Sequence, residues 1–424
     1  MKSRITTCIA AMTILAVLAV PVRLAAQEHK QELPRYTVTD LGTLGGTNSG
    51  ANGLNKNGQV DGTSTLPGDT AEHAFLWRHG RMIDLGTLGG PNSTANWPLN
   101  DWGGVPVNSD TTTPDPNGED YCSFGTYLIC RSFVWYDGVM ITLPTLGGNN
   151  TYSAQLNNRG QMAGASEIDW PDPSCAPPQV LAERPVIWEQ GRVRELPILP
   201  GDSVGAAFVI NDRGQAAGLS SPDCYTITWH ALLWEHGAAT DLGNLGGQSY
   251  NLPQAINNRT QVVGGSDLLG DTAQHAFLWE NGAMTDLGTL PSHPNSIAED
   301  INDEGHVVGG ACDQPLLTGN CSAFLWQDGA MTNLNALIPS ESPLFLWYAA
   351  GINSRGQITG MALEISSGEM HAFLATPVEG ESHVPAASAQ TRESPKVVLP
   401  DSVRRLLRQR RGFGRFGTGM IGPE

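Results

Sequence analysis

Three short motifs recur along this chain in a fixed order, and each of them occurs seven times. The first motif reads His-Ala-Phe-Leu-Trp at residues 73–77 and 275–279. Its related copies occupy residues 131–135, 184–188, 230–234, 322–326 and 371–375. Repetition at this period indicates one supersecondary unit stacked many times, so the repeat determines what fold the chain can adopt.

The second motif precedes the first and reads Asn-x-x-Gly-Gln, as at residues 157–161. Copies and variants begin at Asn55, Asn211, Asn257, Asn302 and Asn353, and a degenerate copy begins at Asn100. The third motif reads Asp-Leu-Gly-Thr-Leu-Gly-Gly, and its copies begin at residues 40, 84, 142, 195, 241, 286 and 333. The first of these stands ahead of the first complete unit, and the last unit has none.

Each unit predicts four strands, a to d. Strand a ends at the motif asparagine, and the Asn/Gly turn that follows it is a hairpin signal. Strand c is the His-Ala-Phe-Leu-Trp run, which is apolar at consecutive positions. Phe277 and Trp279 therefore face one side of the strand while Ala276 and Leu278 face the other, so both sides need burial. Blades packed side by side around an axis provide that burial.

We therefore predict an all-β fold, a seven-bladed β-propeller of four-stranded blades. The displaced copy of the third motif predicts that residues 37–44 close the ring as strand d of the last blade, near residues 371–374. The alternative is a β-solenoid, which needs terminal caps that the sequence does not show. The composition, with 50 glycines, 28 prolines and 16% charged residues, favours short strands and turns.

These motifs resemble those of the bacterial extracellular repeat family called HAF, over roughly residues 36–376. The resemblance implies export and repeated β structure, and it implies no established activity and no catalytic residues. Two units depart from the pattern. The second has lost Asn-x-x-Gly-Gln, and the third has Arg-Pro-Val-Ile-Trp at residues 184–188, so both blades are predicted to be locally irregular.

Residues 1–26 are predicted to be a signal peptide, with Lys2 and Arg4 before an apolar run at 9–22. A membrane anchor is the alternative. No later segment is apolar enough to span a membrane, so we expect a soluble, monomeric protein in the periplasm or outside the cell. The formal net charge of −18 argues against nucleic acid as a partner.

Six cysteines follow the predicted signal peptide, and their even number suggests disulfides in an exported protein. Cys122 and Cys130 share one b–c loop, as do Cys312 and Cys321. Cys175 and Cys224 lie in corresponding loops of adjacent blades. Fifteen connectivities are possible for six cysteines, and this arrangement predicts two local pairs and one pair across a blade boundary.

The sequence contains no His-Glu-x-x-His motif and no phosphate-loop motif. The repeated histidines, His73, His230, His275 and His371, could suggest a metal cluster. They belong to different blades, however, so we interpret them as hydrogen-bonding groups and expect no metal and no cofactor. The predicted function is a binding or scaffold module, and the alternative is a hydrolase or lyase with its site in irregular loops.

The long b–c loops of blades two to four are predicted to bind a glycan or peptide of the cell envelope or its surroundings. The candidate contact residues are Trp170, Trp229, Asp115, Glu119 and Tyr121. The alternative is that the aromatic rings pack against their own loops and that the acidic residues form a solvated loop. Trp97 and Trp347, in or near strand a, are expected to pack inside.

The chain after the repeats changes in composition. We predict a propeller over residues 27–376, a flexible linker over 377–401, and a basic tail over 402–424 that is a short helix or disordered. Six arginines lie between residues 404 and 415. An anionic surface, or the acidic propeller itself, is the predicted partner of this tail.

Overall fold

The computed structural model describes residues 32–175, 179–224, 228–291, 293–315 and 319–378, together with 384–385, 395, 399 and 403–405. These residues form seven four-stranded antiparallel sheets and one two-stranded ribbon. The predicted signal peptide and most of the predicted basic tail lie outside the described residues. Among those described, no helix is long and apolar enough to cross a membrane.

The chain is a seven-bladed β-propeller, as the repeats predict. Two strands, β1 (Glu32–Leu33) and β2 (Tyr36–Asp40), precede the first blade. Blade 1 contains β3 (Ser49–Leu54), β4 (Val60–Thr65), β5 (Glu72–Arg78) and β6 (Arg81–Asp84). Blade 2 contains β7 (Gly89–Thr94), β8 (Val105–Pro114), β9 (Leu128–Tyr136) and β10 (Val139–Thr142). Blade 3 contains β11 (Gly147–Leu156), β12 (Gln161–Pro171), β13 (Leu181–Glu189) and β14 (Arg192–Glu195).

Blades 4 to 6 repeat the same order. Blade 4 contains β15 (Val204–Ile210), β16 (Ala216–Ser221), β17 (His230–Glu235) and β18 (Ala238–Asp241). Blade 5 contains β19 (Gly246–Ile256), β20 (Val262–Leu268), β21 (Gln274–Glu280) and β22 (Ala283–Asp286). Blade 6 contains β23 (Asn295–Ile301), β24 (Val307–Cys312), β25 (Cys321–Gln327) and β26 (Ala330–Asn333). A short 3-10 helix, Leu334–Ala336, leads to the last blade.

Blade 7 is completed by the N-terminal strand. It contains β27 (Leu344–Ile352), β28 (Ile358–Glu364) and β29 (Met370–Pro377), and β2 supplies its fourth strand. Thr39 lies opposite Leu374, and Asp40 lies opposite Phe373. The predicted closure is therefore confirmed, although the paired strand covers 36–40 and ends before residue 44.

The c strands are buried on both faces, as their continuous apolar sequence predicts. In blade 5, Phe277 is fully buried and both Leu278 and Trp279 are nearly so. Trp97, also buried as predicted, stacks on Phe208 with ring centroids 5.5 Å apart. Because these rings come from blades 2 and 4, which are not neighbours, their contact crosses the interior of the propeller.

Blade 2 is locally irregular, as predicted: β7 ends at Thr94, before the degenerate motif at Asn100, and its pairing with β8 shifts register between Gly89 and Ser93. Blade 3 is not interrupted in this way, since β11 runs to Leu156, directly before its motif asparagine. Blade 2 keeps its turn because Asn100 Nδ2 donates to Tyr136 Oη at 3.1 Å, in the place of the missing glutamine. In blade 3 the arginine of Arg-Pro-Val-Ile-Trp pairs with an acidic residue of strand d, with 3.4 Å between Arg184 Nε and Glu195 Oε1. An altered residue in each unit is thus matched by a compensating partner.

The segment after the repeats is not wholly a flexible linker. β30 (Val384–Pro385), which falls within the predicted linker, pairs with β1. Leu399 and Val403 are buried, and residues 403–405 are helical. Parts of the C-terminal region therefore pack onto the propeller.

Candidate functional site

The disc has two faces that differ in construction. Because successive strands are antiparallel, the b–c loops and d–a connections lie on one face, which we call the loop face. Its b–c loops span residues 66–71, 115–127, 172–180, 222–229, 269–273, 313–320 and 365–369. The a–b turns, which begin at the seven motif asparagines, lie with the c–d turns on the other face, which we call the turn face.

On the turn face the seven motif asparagines form a closed ring of hydrogen bonds. Each buried side chain donates from Nδ2 to the backbone carbonyl of the asparagine in the next blade, at 2.9 to 3.3 Å. The last bond, from Asn353 to Asn55, joins blade 7 to blade 1 at 3.0 Å. The sequence pattern indicated only a hairpin turn here, so this contact between blades was missed.

The motif glutamine ties the same turn to its own blade. In blade 4, Asn211 Nδ2 donates to Gln215 Oε1 at 2.7 Å, and Gln215 Nε2 donates to Glu235 at 2.8 Å. Asn211 Oδ1 accepts bonds from the backbone N–H groups two and four residues further on. The whole motif therefore satisfies buried polar groups that would otherwise destabilise the fold.

A polar cavity of about 340 Å³ lies within this ring and is lined by all seven blades. Five of its side chains accept a hydrogen bond from a backbone N–H of the preceding blade, at 2.8 to 3.1 Å: Asp101, Asn158, Asp212, Asn258 and Asp303. Because these groups already join blades, the cavity belongs to the framework of the propeller. Among the described residues of this face, Trp102 carries a large exposed ring.

The repeated histidines are hydrogen-bonding groups, as predicted. Each Nδ1 bonds a carboxylate at 2.8 to 2.9 Å, in the pairs His73–Asp84, His230–Asp202, His275–Asp286 and His371–Asp40. In three pairs the aspartate opens the third motif. His371–Asp40 is distinctive because it joins the last blade to the N-terminal strand. The hydrogen bond to Asp40 raises the pKa of His371, although burial opposes this.

The predicted acidic ligand contacts of blade 2 are buried inside their loop. Asp115 accepts bonds from the backbone of its own loop and from Asn150 Nδ2 of blade 3, at 3.0 Å. Glu119 accepts the backbone N–H groups of residues 180 and 181 in blade 3, at 2.6 and 2.9 Å. Tyr121 Oη donates to Glu183 Oε1 at 2.5 Å. The expectation of a solvated acidic loop is wrong, since these side chains lock blade 2 onto blade 3.

The two predicted aromatic contacts differ in exposure. Trp229 is only 3% exposed and packs on Tyr250, with ring centroids 5.3 Å apart, so its predicted exposure is wrong. Trp170, at the end of β12, is 67% exposed and could contact a ligand. The ring of Tyr127 in the blade 2 loop is also exposed, and the sequence did not single it out.

The six cysteines lie in the three predicted pairs. Cα–Cα distances are 5.8 Å for Cys122–Cys130, 5.1 Å for Cys175–Cys224 and 4.1 Å for Cys312–Cys321. Cys175–Cys224 crosses the boundary between blades 3 and 4. Asp172 lies beside this pair, but the bonded sulfurs are not thiolate ligands for a metal.

Between blades 1 and 2 the loop face holds three carboxyl groups, Glu72, Asp110 and Asp120, which we call the acidic pocket. Burial raises the pKa of Asp110 to about 6, and the nearby charges of Asp120 and Glu72 add to this, although hydrogen bonds from Asn92 and Thr126 lower it. Burial also raises the pKa of Asp120. The ionisation of Asp110 therefore depends on the charges of the other two carboxyl groups.

A basic side chain from the C-terminal region occupies this pocket. Arg405 donates from Nε to Glu72 Oε1 at 3.1 Å and from Nη2 to Oε2 at 3.2 Å. Its charge also favours the ionised form of Asp120 and so opposes the rise in that pKa. This contact fits the expectation that the basic tail meets the acidic propeller.

No protein-family model matches the chain, and no curated protein matches it. Among solved structures, the β-propeller domain of the Trilobed protease from Pyrococcus furiosus aligns with 68% of this chain and 81% of its own, at 10% identity and a TM-score of 0.46. Oligogalacturonate lyase from Vibrio parahaemolyticus aligns with 82% of this chain and 96% of its own, at 9% identity and a TM-score of 0.46. Puromycin hydrolase aligns with 81% of this chain and 55% of its own, at 15% identity and a TM-score of 0.44. These likenesses concern the propeller fold alone, and the HAF resemblance stays a prediction.

Proposed function

We propose that the protein is an exported binding or scaffold module that presents its loop face to a ligand outside the cytoplasm. The observation that carries this proposal is the bracing of the loops of blades 2 to 4 across blade boundaries. Glu119 holds the blade 3 backbone, and Cys175–Cys224 joins blade 3 to blade 4. Rigid loops reduce the entropy lost on binding, so such bracing suits a preorganised ligand surface.

Two exposed aromatic residues at the loop face of adjacent blades are the proposed contacts: Tyr127 in the b–c loop of blade 2, and Trp170 at the end of β12 in blade 3. Aromatic rings stack on sugar rings and pack against peptides, so a glycan or peptide of the envelope or surroundings is the proposed ligand. Tyr127 also has a φ of 55°. This left-handed conformation costs a non-glycine residue roughly 1–2 kcal/mol, and strain of this kind concentrates at binding sites.

Export is supported by the three cysteine pairs, because disulfides persist in oxidising compartments. The apolar N-terminal run and the resemblance to HAF proteins agree with this. We place the protein in the periplasm or outside the cell.

Glycan and peptide arrays test the proposal. Once a ligand is found, Trp170→Ala and Tyr127→Ala should each weaken its binding about tenfold, the order of effect expected for an exposed aromatic contact. Trp102→Ala is the matched control, since that ring is exposed on the turn face and should leave binding unchanged. Loss of binding in Trp102→Ala alone would move the site to the turn face.

The acidic pocket favours a second candidate, a hydrolase or lyase. Burial raises the pKa of Asp110 to about 6, and Asp120 and Glu72 lie near it, so the acidic pocket can supply a carboxyl group that exchanges a proton near neutral pH. If the array ligand is turned over, Asp110→Asn should abolish turnover while binding persists. Binding without turnover by the unaltered protein would favour the module.

A further inference from the structure

We propose that the acidic pocket is a guanidinium-binding site whose resident occupant is Arg405. From this we infer that the ligand of the loop face is a peptide in which an arginine follows two spaced apolar residues. The inference rests on the proposed binding function and names the chemical class of its ligand.

Arg405 contacts the acidic pocket with the hydrogen-bond geometry expected of a bound guanidinium ligand. Both oxygens of Glu72 accept bonds from Arg405, which gives the two-pronged geometry in which guanidinium binds carboxylate most strongly. Glu72 is 1% exposed and lies at the start of β5. The carboxylate is therefore part of the rigid blade, whereas the arginine comes from outside the repeats.

The pocket needs a cation to balance its charge. Glu72, Asp110 and Asp120 are close enough to affect each other's ionisation. Moving a carboxylate out of water is costly unless an opposite charge compensates it. An arginine side chain meets this need, and the planar fork of its guanidinium fits better than the point charge of a lysine.

Two apolar side chains anchor the segment before the arginine reaches the pocket. Leu399 and Val403 are buried in a cluster with side chains of blades 6 and 7, among them Phe345, Trp347 and Met370. The segment therefore places its apolar anchors beside blade 7 and its arginine beside blade 1. The arginine side chain itself is partly buried, at 30% exposure. Apolar anchors combined with an arginine are common carriers of affinity in peptide recognition.

A ligand in trans that presents the same groups would compete with this segment for the acidic pocket. The described contacts of the segment include two buried apolar side chains and the Arg405–Glu72 ion pair. Tethering maintains such a contact through a high effective concentration, of millimolar order for a flexible connection. A peptide with the same pattern and additional contacts to Tyr127 or Trp170 would displace it.

The experiment uses the full-length protein and a labelled synthetic peptide of residues 395–410. The variant Val403→Asp/Arg405→Ala releases the segment and should bind the peptide at least tenfold more tightly than the unaltered protein. Adding Glu72→Gln should reverse that gain at least tenfold, and Asp120→Asn provides a second pocket variant if Glu72→Gln does not fold. Thermal melting confirms that each variant is folded.

Peptide variants test the specificity. A peptide with Arg405→Ala should lose most of its affinity, and one with Arg405→Lys should keep only part of it, because lysine retains the charge but lacks the planar fork. Equal binding by released and unaltered protein, or no effect of either pocket variant, would overturn the proposal. Tail-dependent binding of the unaltered protein to anionic vesicles would also overturn it and assign the tail to a membrane surface. An array ligand that depends on Trp170 but not on Glu72 would reject this inference and leave the binding function intact.

Discussion

The turn face and the loop face hold the same seven blades together by different means. On the turn face every boundary uses the same asparagine-to-carbonyl bond, repeated around the ring. On the loop face the boundaries differ: Glu119 joins blades 2 and 3, and a disulfide joins blades 3 and 4. Residues that every unit shares therefore build the framework, and residues that occur once shape the surface available to a ligand.

The largest expected effect tests whether the asparagine ring alone can hold the propeller together. Deleting β2 leaves every ring bond in place but removes the fourth strand of blade 7 and exposes the edge of β29. We expect the melting temperature to fall by about 5 °C or more, since several kcal/mol of pairing and burial are lost and 1 kcal/mol corresponds to roughly 1–1.5 °C in a chain of this length. Calorimetry measures this change.

A matched control deletes an equal number of residues from the predicted signal peptide, outside the described fold. That change should leave the melting temperature where it was. If the protein without β2 melts like the intact one, the ring is sufficient and the terminal strand is dispensable.

The second expected effect is specific to the turn face. Asn211→Ala removes buried hydrogen bonds within blade 4 and the bond to blade 5. We expect a loss of about 2–4 kcal/mol in the free energy of unfolding, because several polar groups would lose their partners inside the protein. Denaturant titration gives the value.

Ser354→Ala is the control, because Ser354 is an exposed turn residue on the same face. A change of less than about 0.5 kcal/mol is expected there. Similar losses in both variants would mean that the motif asparagine has no special role and would remove the contrast between the faces.

The smallest expected effect concerns pH and the closing contact. The pKa of His371 is raised and, despite burial, that of Asp40 is lowered by its bonds to His371 and Gly42. The stabilisation of the fold by protonated His371 is therefore complete below the ordinary histidine pKa of 6.5, and it is lost as pH rises through the raised pKa. The stabilisation of the fold by ionised Asp40 is complete above the ordinary aspartate pKa of 3.8, and it is lost as pH falls through the lowered pKa.

Between pH 6 and pH 9 the melting temperature should thus fall by about 1 °C more in the unaltered protein than in Asp40→Asn, since a partly exposed pair contributes less than about 1 kcal/mol. Melting curves across this range measure the difference. Parallel pH profiles for the two proteins would show that the pair does not contribute to closure.

The fold was predictable because its determinants are repeated. Seven copies of strand c, with both faces apolar, indicated blades, and the displaced Asp40 motif indicated closure by the N-terminal strand. The bond between His371 and Asp40 joins two of the motifs used in that prediction. The ring of asparagines was missed, because a hairpin turn explains Asn and Gly in sequence without any neighbouring blade.

The candidate site was less predictable because its residues occur once. Tyr121 is buried by Glu183 of the next blade, and Trp229 is buried by Tyr250, and neither partner is implied by the repeat. Burial of a loop residue depends on packing between distant segments, which composition does not reveal. Among the predicted ligand contacts, Trp170 is therefore the one that the structure leaves exposed.

Closure by β2 also sets the order in which the chain can be completed. Asp40 and its partner His371 are separated by 331 positions, so the ribosome makes one side of the joint early and the other side late. Until β29 emerges, β2 has no strand to pair with, and any chain that stops earlier keeps an unpaired edge in its last blade. An unpaired edge is a template for pairing with another chain, so an interrupted molecule should aggregate more readily than a complete one.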